Sequence, residues 1–327
     1  MYNKKITLSM PVYNAGKYVE RALLSALNQT YEQLEIIVVN DGSSDNSMTI
    51  VERVIAAHAK GNLVRVIELP ENGGVSEARN AAIDAASGQY LYFMDSDDEI
   101  TADCIQKLYD EITRSAADLI YGSLVNVSSG GNRTWEIIYH QGRDIYTFPS
   151  RPMYVWNILF DMDFLREQNI RFLSTHIICE DVYFILQVFL MTTSTGAIPD
   201  ITYTHFQDGE SLSNGVWSEK KFSTFFHLFA DQAALLHTAQ LSRPIRILYK
   251  RKLFWFRVWI AEMALQSPPY ARPVISEALS TKYVYDRGMW RNATLIIGFL
   301  VSILPLWGKI LFLKAHLWSV ATRRKKT

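Results

Sequence analysis

The sequence is poor in cysteine: only Cys104 and Cys179 occur in 327 residues. Two thiols are too few for a disulfide framework and lack metal-site spacing, so both are expected to be buried free thiols in a reducing compartment. A hydrophobic leader is also missing. Met1–Leu8 carries Lys4 and Lys5 and passes straight into a strand-like run, so the first domain is expected to stay on the cytoplasmic side. Glycine-rich phosphate loops are absent: no Gly-Lys-Ser/Thr follows Gly73-Gly74, which excludes a Walker loop, and the dinucleotide fingerprint is not met either. There is no internal repeat. Disorder is excluded by a hydrophobic content of 49%.

Net charge is zero, but its two halves differ. Residues 1–240 hold 17 Lys+Arg against 30 Asp+Glu, and residues 241–327 hold 16 against 3. Such polarity predicts a C-terminal part that faces something anionic.

Over the first 125 residues, short apolar runs alternate with helical patterns. Ile6–Met10, Leu34–Asn40, Leu63–Leu69 and Tyr90–Met94 read as strands, and Lys17–Gln29, Asn46–Lys60 and Val75–Ala86 as helices, the second opening after the cap candidates Ser44 and Asp45. This alternation predicts an α/β fold with a mostly parallel sheet and helices on both faces. In such sheets ligands sit beyond the carboxyl ends of the strands. Polar clusters occupy those places: Pro11–Asn14, Asp41–Asp45, Glu71–Gly74 and Asp95–Asp98. Residues 128–149 read as a hairpin or loop, Val155–Gln168 and Asp181–Leu190 as helical, and the chain after Trp217 as almost wholly helical.

Four acids in the five positions Asp95–Glu99 follow the apolar Tyr90–Met94. Carboxylates delivered by a buried strand need compensation, and hard oxygen ligands suit Mg²⁺ or Mn²⁺. The competing reading makes Ser96 or Asp98 the cap of a helix near Ala102–Arg114. Asp41 can accept from a nucleotide base or ribose, or belong to an ordinary Asp-Gly turn. Arg79 can meet a phosphate or a neighbouring aspartate. Glu180-Asp181 can open the helix after it or supply a base.

Pro11-Val-Tyr-Asn14, Asn40-Asp-Gly-Ser-Ser-Asp45, Asn72-Gly-Gly-Val-Ser-Glu-Ala-Arg-Asn80 and Asp95-Ser-Asp-Asp98 together resemble the family 2 glycosyltransferases of the GT-A fold, in order and in spacing. The resemblance extends more weakly to about residue 215. It implies a catalytic domain over 1–215 that uses a nucleotide-sugar donor, UDP-linked, and Mn²⁺ or Mg²⁺. Pro11, Tyr13 and Asn14 would line the nucleotide pocket and Asp41 would read the base. Asp95 would touch the ribose or the metal, with Ser96 and Arg79 on the nucleotide side, and Asp97 would be the principal metal ligand. Glu180-Asp181 matches the family's catalytic acidic pair, Asp181 being the base that deprotonates the acceptor hydroxyl. A base separate from the metal site implies inversion at the anomeric carbon. His205 lies where family members often carry a residue near the diphosphate; it is either a further metal ligand or a structural histidine among aromatics. Asp208–Ser213 after it would be a flexible stretch able to close over the donor.

Residues 216–327 form the second expected region, helical and basic. Arg243–Arg257 holds six basic residues, no acid and interleaved aromatics, the pattern of a membrane-surface helix rather than of a nucleic-acid fold. Ala293–Trp307 is short for a span of roughly 20 residues and is expected to form an interfacial or re-entrant hairpin. A spanning helix and a soluble helical domain are the other readings. The acceptor expected is a hydroxyl of a glycan or lipid-linked glycan in surface-polysaccharide assembly. Two rivals remain: a non-catalytic glycan- or lipid-binding scaffold of this fold, and a sugar nucleotidyltransferase. The latter calls for a Gly-rich basic loop after the first strand, where Pro11–Lys17 offers only Gly16 and Lys17.

Overall fold

The computed structural model describes residues 4–137, 154–175, 179–207, 219–239, 243–265, 268–280 and 309–314. The chain divides into two compact units, Met1–Ile145 with Pro152–Gly215, and Tyr146–Arg151 with Val216–Thr327.

The first unit is built on one sheet. Strands β1 (Ile6–Val12), β2 (Leu34–Asn40), β3 (Val64–Glu68) and β4 (Tyr90–Phe93) run parallel in the order β3-β2-β1-β4, joined by α1 (Val19–Leu27), α2 (Ser47–Ala57) and α3 (Val75–Ala85). Both faces are covered, which is why β2 reads as an unbroken apolar run. Ile36 and Val38 join the core beneath α1, α2 and α4 (Cys104–Ser115), whereas Ile37 and Val39 pack with Ala78 and Ala82 of α3. Pro11 extends β1 beyond the point where the sequence pattern ends it. Val12 points its carbonyl toward β2 and Ser9 toward β4, so the N–H that Pro11 lacks faces the β4 side, past the last β1–β4 pair, Ser9 with Phe93.

Beyond β4 the sheet turns mixed. β8 (Ile158–Asp161) is antiparallel to β4 and to β6 (Leu119–Ser128). β9 (Thr195–Gln207) is parallel to β6, and the two-residue β5 (Glu99–Ile100) closes the far edge against it. β7 (Arg133–Glu136) folds back on β6 as a hairpin within the stretch expected to be a hairpin or loop.

The helix expected over Val155–Gln168 is corrected to β8 followed by the short α5 (Met162–Glu167). Ile158, Leu159 and Phe160 are buried on both faces of the sheet, and a strand buried on both faces shows no alternation to separate it from a helix. The cap expected for α4 is also corrected. Its N-cap is Asp103, with β5 lying between it and Asp98. The N-cap of α2 is Asn46, while Asp45 accepts from the Ser47 N–H (2.9 Å).

α6 (Glu180–Met191) is anchored by phenylalanine. Phe184 lies against Phe93 of β4 (5.9 Å between centroids), Phe160 of β8 (5.8 Å) and Phe172 (4.2 Å). This packing brings the N-terminus of α6 to the carboxyl end of β4.

The second unit contains α7 (Glu219–Thr238), α8 (Arg243–Leu265) and α9 (Pro268–Ala278), with α9 packed on both others. Its interior is lined by Phe225 and Phe229 of α7, Leu253, Phe254 and Val258 of α8, and Ile275 of α9. Arg257 is buried there, its guanidinium 6.0 Å from the Phe229 ring centre. Among the described residues no helix is long and apolar enough to cross a membrane. Ala293–Trp307 and Asp208–Ser213 lie outside the described residues.

Candidate active site

Three loops at the carboxyl ends of β1, β2 and β3 knit together. Asn14, in the left-handed region (φ 48°), accepts at Oδ1 from the Ser44 N–H (2.8 Å), and its own N–H donates to Ser43 Oγ (3.1 Å). Asp41 is 3% exposed and accepts at Oδ1 from the Gly73 N–H (2.7 Å). Burial, and then the Glu77 charge, push its carboxyl up against the pull of the Gly73 and Gly74 amides. Gly42 is required between these loops: its φ is +71°, and a Cβ would lie 2.9 Å from the Asn72 nitrogen. Pro11 is buried in β1, whereas the Tyr13 ring is 50% exposed at the rim.

Arg79 of α3, 4% exposed, joins this end of the sheet to α6. Its Nη2 pairs with Asp95 Oδ1 (2.8 Å) and its Nη1 with Glu180 Oε1 (2.7 Å), while the guanidinium lies over Phe172 (5.4 Å). Burial opposes its charge, but Asp95 and Glu180 more than compensate and raise its pKa. Among the protein's own groups, Arg79 thus meets the aspartate that the sequence allowed for it. The next residue, Asn80, holds both the N–H and the C=O of Phe172 (3.1 and 2.9 Å), fixing the surface on which Arg79 rests.

Asp95, Asp97 and Asp98 bring one carboxylate oxygen each to within 4.8 Å of one another. Such a cluster of hard oxygens fits a divalent cation. The turn is fastened at several points. Arg21 of α1 donates to the Asp97 carbonyl (2.5 Å), pairs with Glu99 (2.9 Å) and stacks on Phe206 (3.7 Å). Asp98 is buried and accepts from Tyr203 Oη (2.7 Å) and the Phe206 N–H (2.8 Å). Its carboxyl is pushed well up by burial and then by Asp97 and Asp95. Asp98 is thus a tie to β9, not the helix cap the sequence suggested. Ser96 is half-buried between the carboxylates.

His205 is not in the converging group. It shares a hydrogen bond with Asn126 through Nδ1 (2.8 Å) and lies tilted on Trp156 (5.0 Å). Burial lowers its pKa against the pull of Asp95.

The second acidic pair opens α6 after Cys179, a non-glycine residue at φ 58°. Asp181 is half-buried and accepts from the Val182 N–H (2.7 Å). Burial, and then Glu180, push its carboxyl up to about 8 even though Arg79 opposes them. It is a carboxylate poised to hold a proton near neutrality.

Sequence reasoning missed Tyr203 of β9, which bonds the aspartate turn, and Trp156 of the segment before β8, which stacks on Tyr203. Nothing near either residue in the sequence signals those contacts, which only the crossover order β8-β6-β9 creates.

A parallel first half, a mixed second half and an acidic cluster at the junction define the GT-A fold. The fold matches that of the crystal structure of S. aureus TarS residues 1–349 in complex with UDP-GlcNAc, with a TM-score of 0.70, 22% identity, and coverage of 91% of this chain and 90% of that one. The chain belongs to Glycosyl transferase family 2, whose profile matches residues 7–179. Among its relatives are the glycosyltransferases GlyG and GlyA of Streptococcus pneumoniae serotype 4. GlyG is 38% identical over 128 residues, 39% of this chain, and GlyA is 30% identical over 263 residues, 75% of this chain. The matches span 42% of GlyG and 36% of GlyA.

Proposed function

We propose that this protein is an inverting, metal-dependent glycosyltransferase. It moves a sugar from a UDP-linked donor to a hydroxyl of a glycan or lipid-linked glycan in surface-polysaccharide assembly, at the cytoplasmic face of the membrane. The observation that carries the reading is the Arg79 fork: one buried guanidinium binds Asp95 of the cation-suited turn and Glu180 beside Asp181. The UDP-GlcNAc bound by TarS supports the choice of donor.

In this reading Pro11, Tyr13, Asn14 and Asp41 hold the nucleoside, and Asp95 with Ser96 faces the nucleotide. Asp97 is the principal ligand for Mn²⁺ or Mg²⁺, and His205 sits within reach of the same field. When bound, the cation neutralises charge growing on the departing nucleoside diphosphate. Arg79 acts through the two carboxylates it orients rather than on a phosphate. Asp181 takes the proton of the acceptor hydroxyl as its oxygen attacks the anomeric carbon. One arm of Arg79 holds Asp95 of the cation-suited turn and the other holds Glu180, the neighbour of the base Asp181. Base and cation ligands thus come from separate segments, which suits a single displacement and inversion.

The test is Asp181→Asn, assayed for transfer from a panel of nucleotide sugars with Mn²⁺. Transfer should fall by roughly 10²–10⁴-fold, the usual contribution of a general base, with the metal-dependent thermal shift by donor unchanged. Undiminished transfer would remove Asp181 from the mechanism. Absence of transfer or hydrolysis by the native protein with every donor would favour the scaffold reading.

A further inference from the structure

Resting on the cation reading of the Asp95–Asp98 turn, we infer that Tyr203 is a positioning residue for that turn, setting how well it holds a divalent cation. The turn's first and last residues meet on one oxygen. The Asp95 backbone N–H donates to Tyr203 Oη (3.3 Å), and the same hydroxyl donates to Asp98 Oδ2 (2.7 Å). Because the phenol proton is committed to Asp98, its lone pairs face the Asp95 amide, and a chain of donors in one direction reinforces each link.

The hydroxyl is held as firmly as the carboxylates it ties. Tyr203 is fully buried, and its main chain lies in β9 opposite Ile100 and Leu124. Its ring stacks on Trp156 (4.6 Å between centroids, 18° between planes), and Trp156 in turn stacks on Tyr154 (3.7 Å, 5°). This aromatic ladder leaves the phenol no room to swing. The Phe206 N–H and the Arg21 guanidinium hold the turn from its other sides, at the Asp98 carboxylate and the Asp97 carbonyl. Removing the hydroxyl would release the Asp95 amide and the Asp98 Oδ2 tie while leaving those contacts, and the Arg79 pair with the Asp95 carboxylate (2.8 Å), in place. Residues that orient metal ligands without touching the metal typically cost 10–100-fold in affinity when changed.

Tyr203→Phe keeps the ring and its stacking. Tyr92→Phe is the control. Tyr92 is as deeply buried, and its hydroxyl contacts Asn157 (3.4 Å) and Cys104 (3.4 Å) with no bond to the turn. Mn²⁺ binding to the full chain with UDP present is followed by electron paramagnetic resonance. Tyr203→Phe should weaken it about tenfold, and Tyr92→Phe should leave it unchanged. In turnover, excess Mn²⁺ should restore kcat in Tyr203→Phe while the metal requirement shifts by the same factor. Native affinity in Tyr203→Phe, or equal loss in Tyr92→Phe, overturns the inference alone. Native protein that binds no Mn²⁺ overturns both this inference and the cation reading beneath it.

Discussion

Asp181 is the residue proposed as the base, and its environment sets a pH dependence for that role. Burial and Glu180 raise its carboxyl to about 8, far above the usual aspartate value of about 3.9. As the proposed base it would act in the deprotonated form, so kcat/KM should fall as pH drops through an apparent pKa well above 4. An acid limb near 4 would remove Asp181 as the base. The stability linkage has the opposite sense. The folded carboxyl holds its proton more tightly than the unfolded one, so stability is lost as pH rises from about 4 toward 8. Asp181→Asn should therefore raise Tm little at pH 5 and progressively more up to pH 8, as read by calorimetry. At this scale the sequence was informative wherever a residue sits at a strand end, as Asp41, Asp95 and Asp97 do. It said least where the partner lies a hundred residues away. Arg79 could be assigned to an aspartate or a phosphate, and Asp98 to a metal site or a helix cap, because Tyr203 and Glu180 come to them only through the sheet's crossovers.

The parallel half was legible element by element, since every strand there ends in a polar cluster and every helix has a clear apolar face. The mixed half was not. β8 was read as a helix, and β6 and β9 were not identified as strands. β6 and β9 pair in parallel over ten residues with a register shift at Gly122–Leu124. That irregularity is stabilised by Asn157, fully buried at φ 58°. Its Nδ2 donates to the Gly122 and Ser123 carbonyls (2.8 and 3.2 Å), and its Oδ1 accepts from Thr202 Oγ1 (2.7 Å). No local pattern announces such a residue, because one side chain serves three strands. Asn157→Ala would take the side-chain donor from the buried Gly122 and Ser123 carbonyls and leave Thr202 Oγ1 only its longer bond to the Ser123 carbonyl (3.4 Å), at 1–3 kcal/mol for such groups, and put alanine in a left-handed conformation. A loss of about 3–4 kcal/mol is expected, measured as a lower urea midpoint with unchanged m-value. A loss under about 1 kcal/mol would mean the bulge does not depend on Asn157.

Across the whole chain, the separation of charge is the feature that the fold alone does not use. The 16 basic residues of 241–327 face only 3 acids, and Arg243–Lys252 contributes five of them. Arg257, counted with that run from sequence, is buried beside Phe229, so it belongs to the interior of the helical unit and not to a membrane-facing surface. A lipid-linked acceptor would come to the catalytic unit from an anionic membrane, and each basic residue near such a surface is worth about 1 kcal/mol. The full chain should therefore co-sediment with phosphatidylcholine vesicles containing phosphatidylglycerol and not with phosphatidylcholine alone. Binding should weaken between about 0.1 M and about 1 M salt, as the screening length shrinks from about 10 to about 3 Å. Replacing Lys250, Arg251 and Lys252 together by Gln should remove about 3 kcal/mol, roughly two orders of magnitude in partitioning. Arg257→Gln should instead lower thermal stability and leave partitioning nearly unchanged, because its charge does not reach the lipid. Equal binding to neutral vesicles, or partitioning that ignores the triple replacement, would assign the positive charge to a partner other than the bilayer.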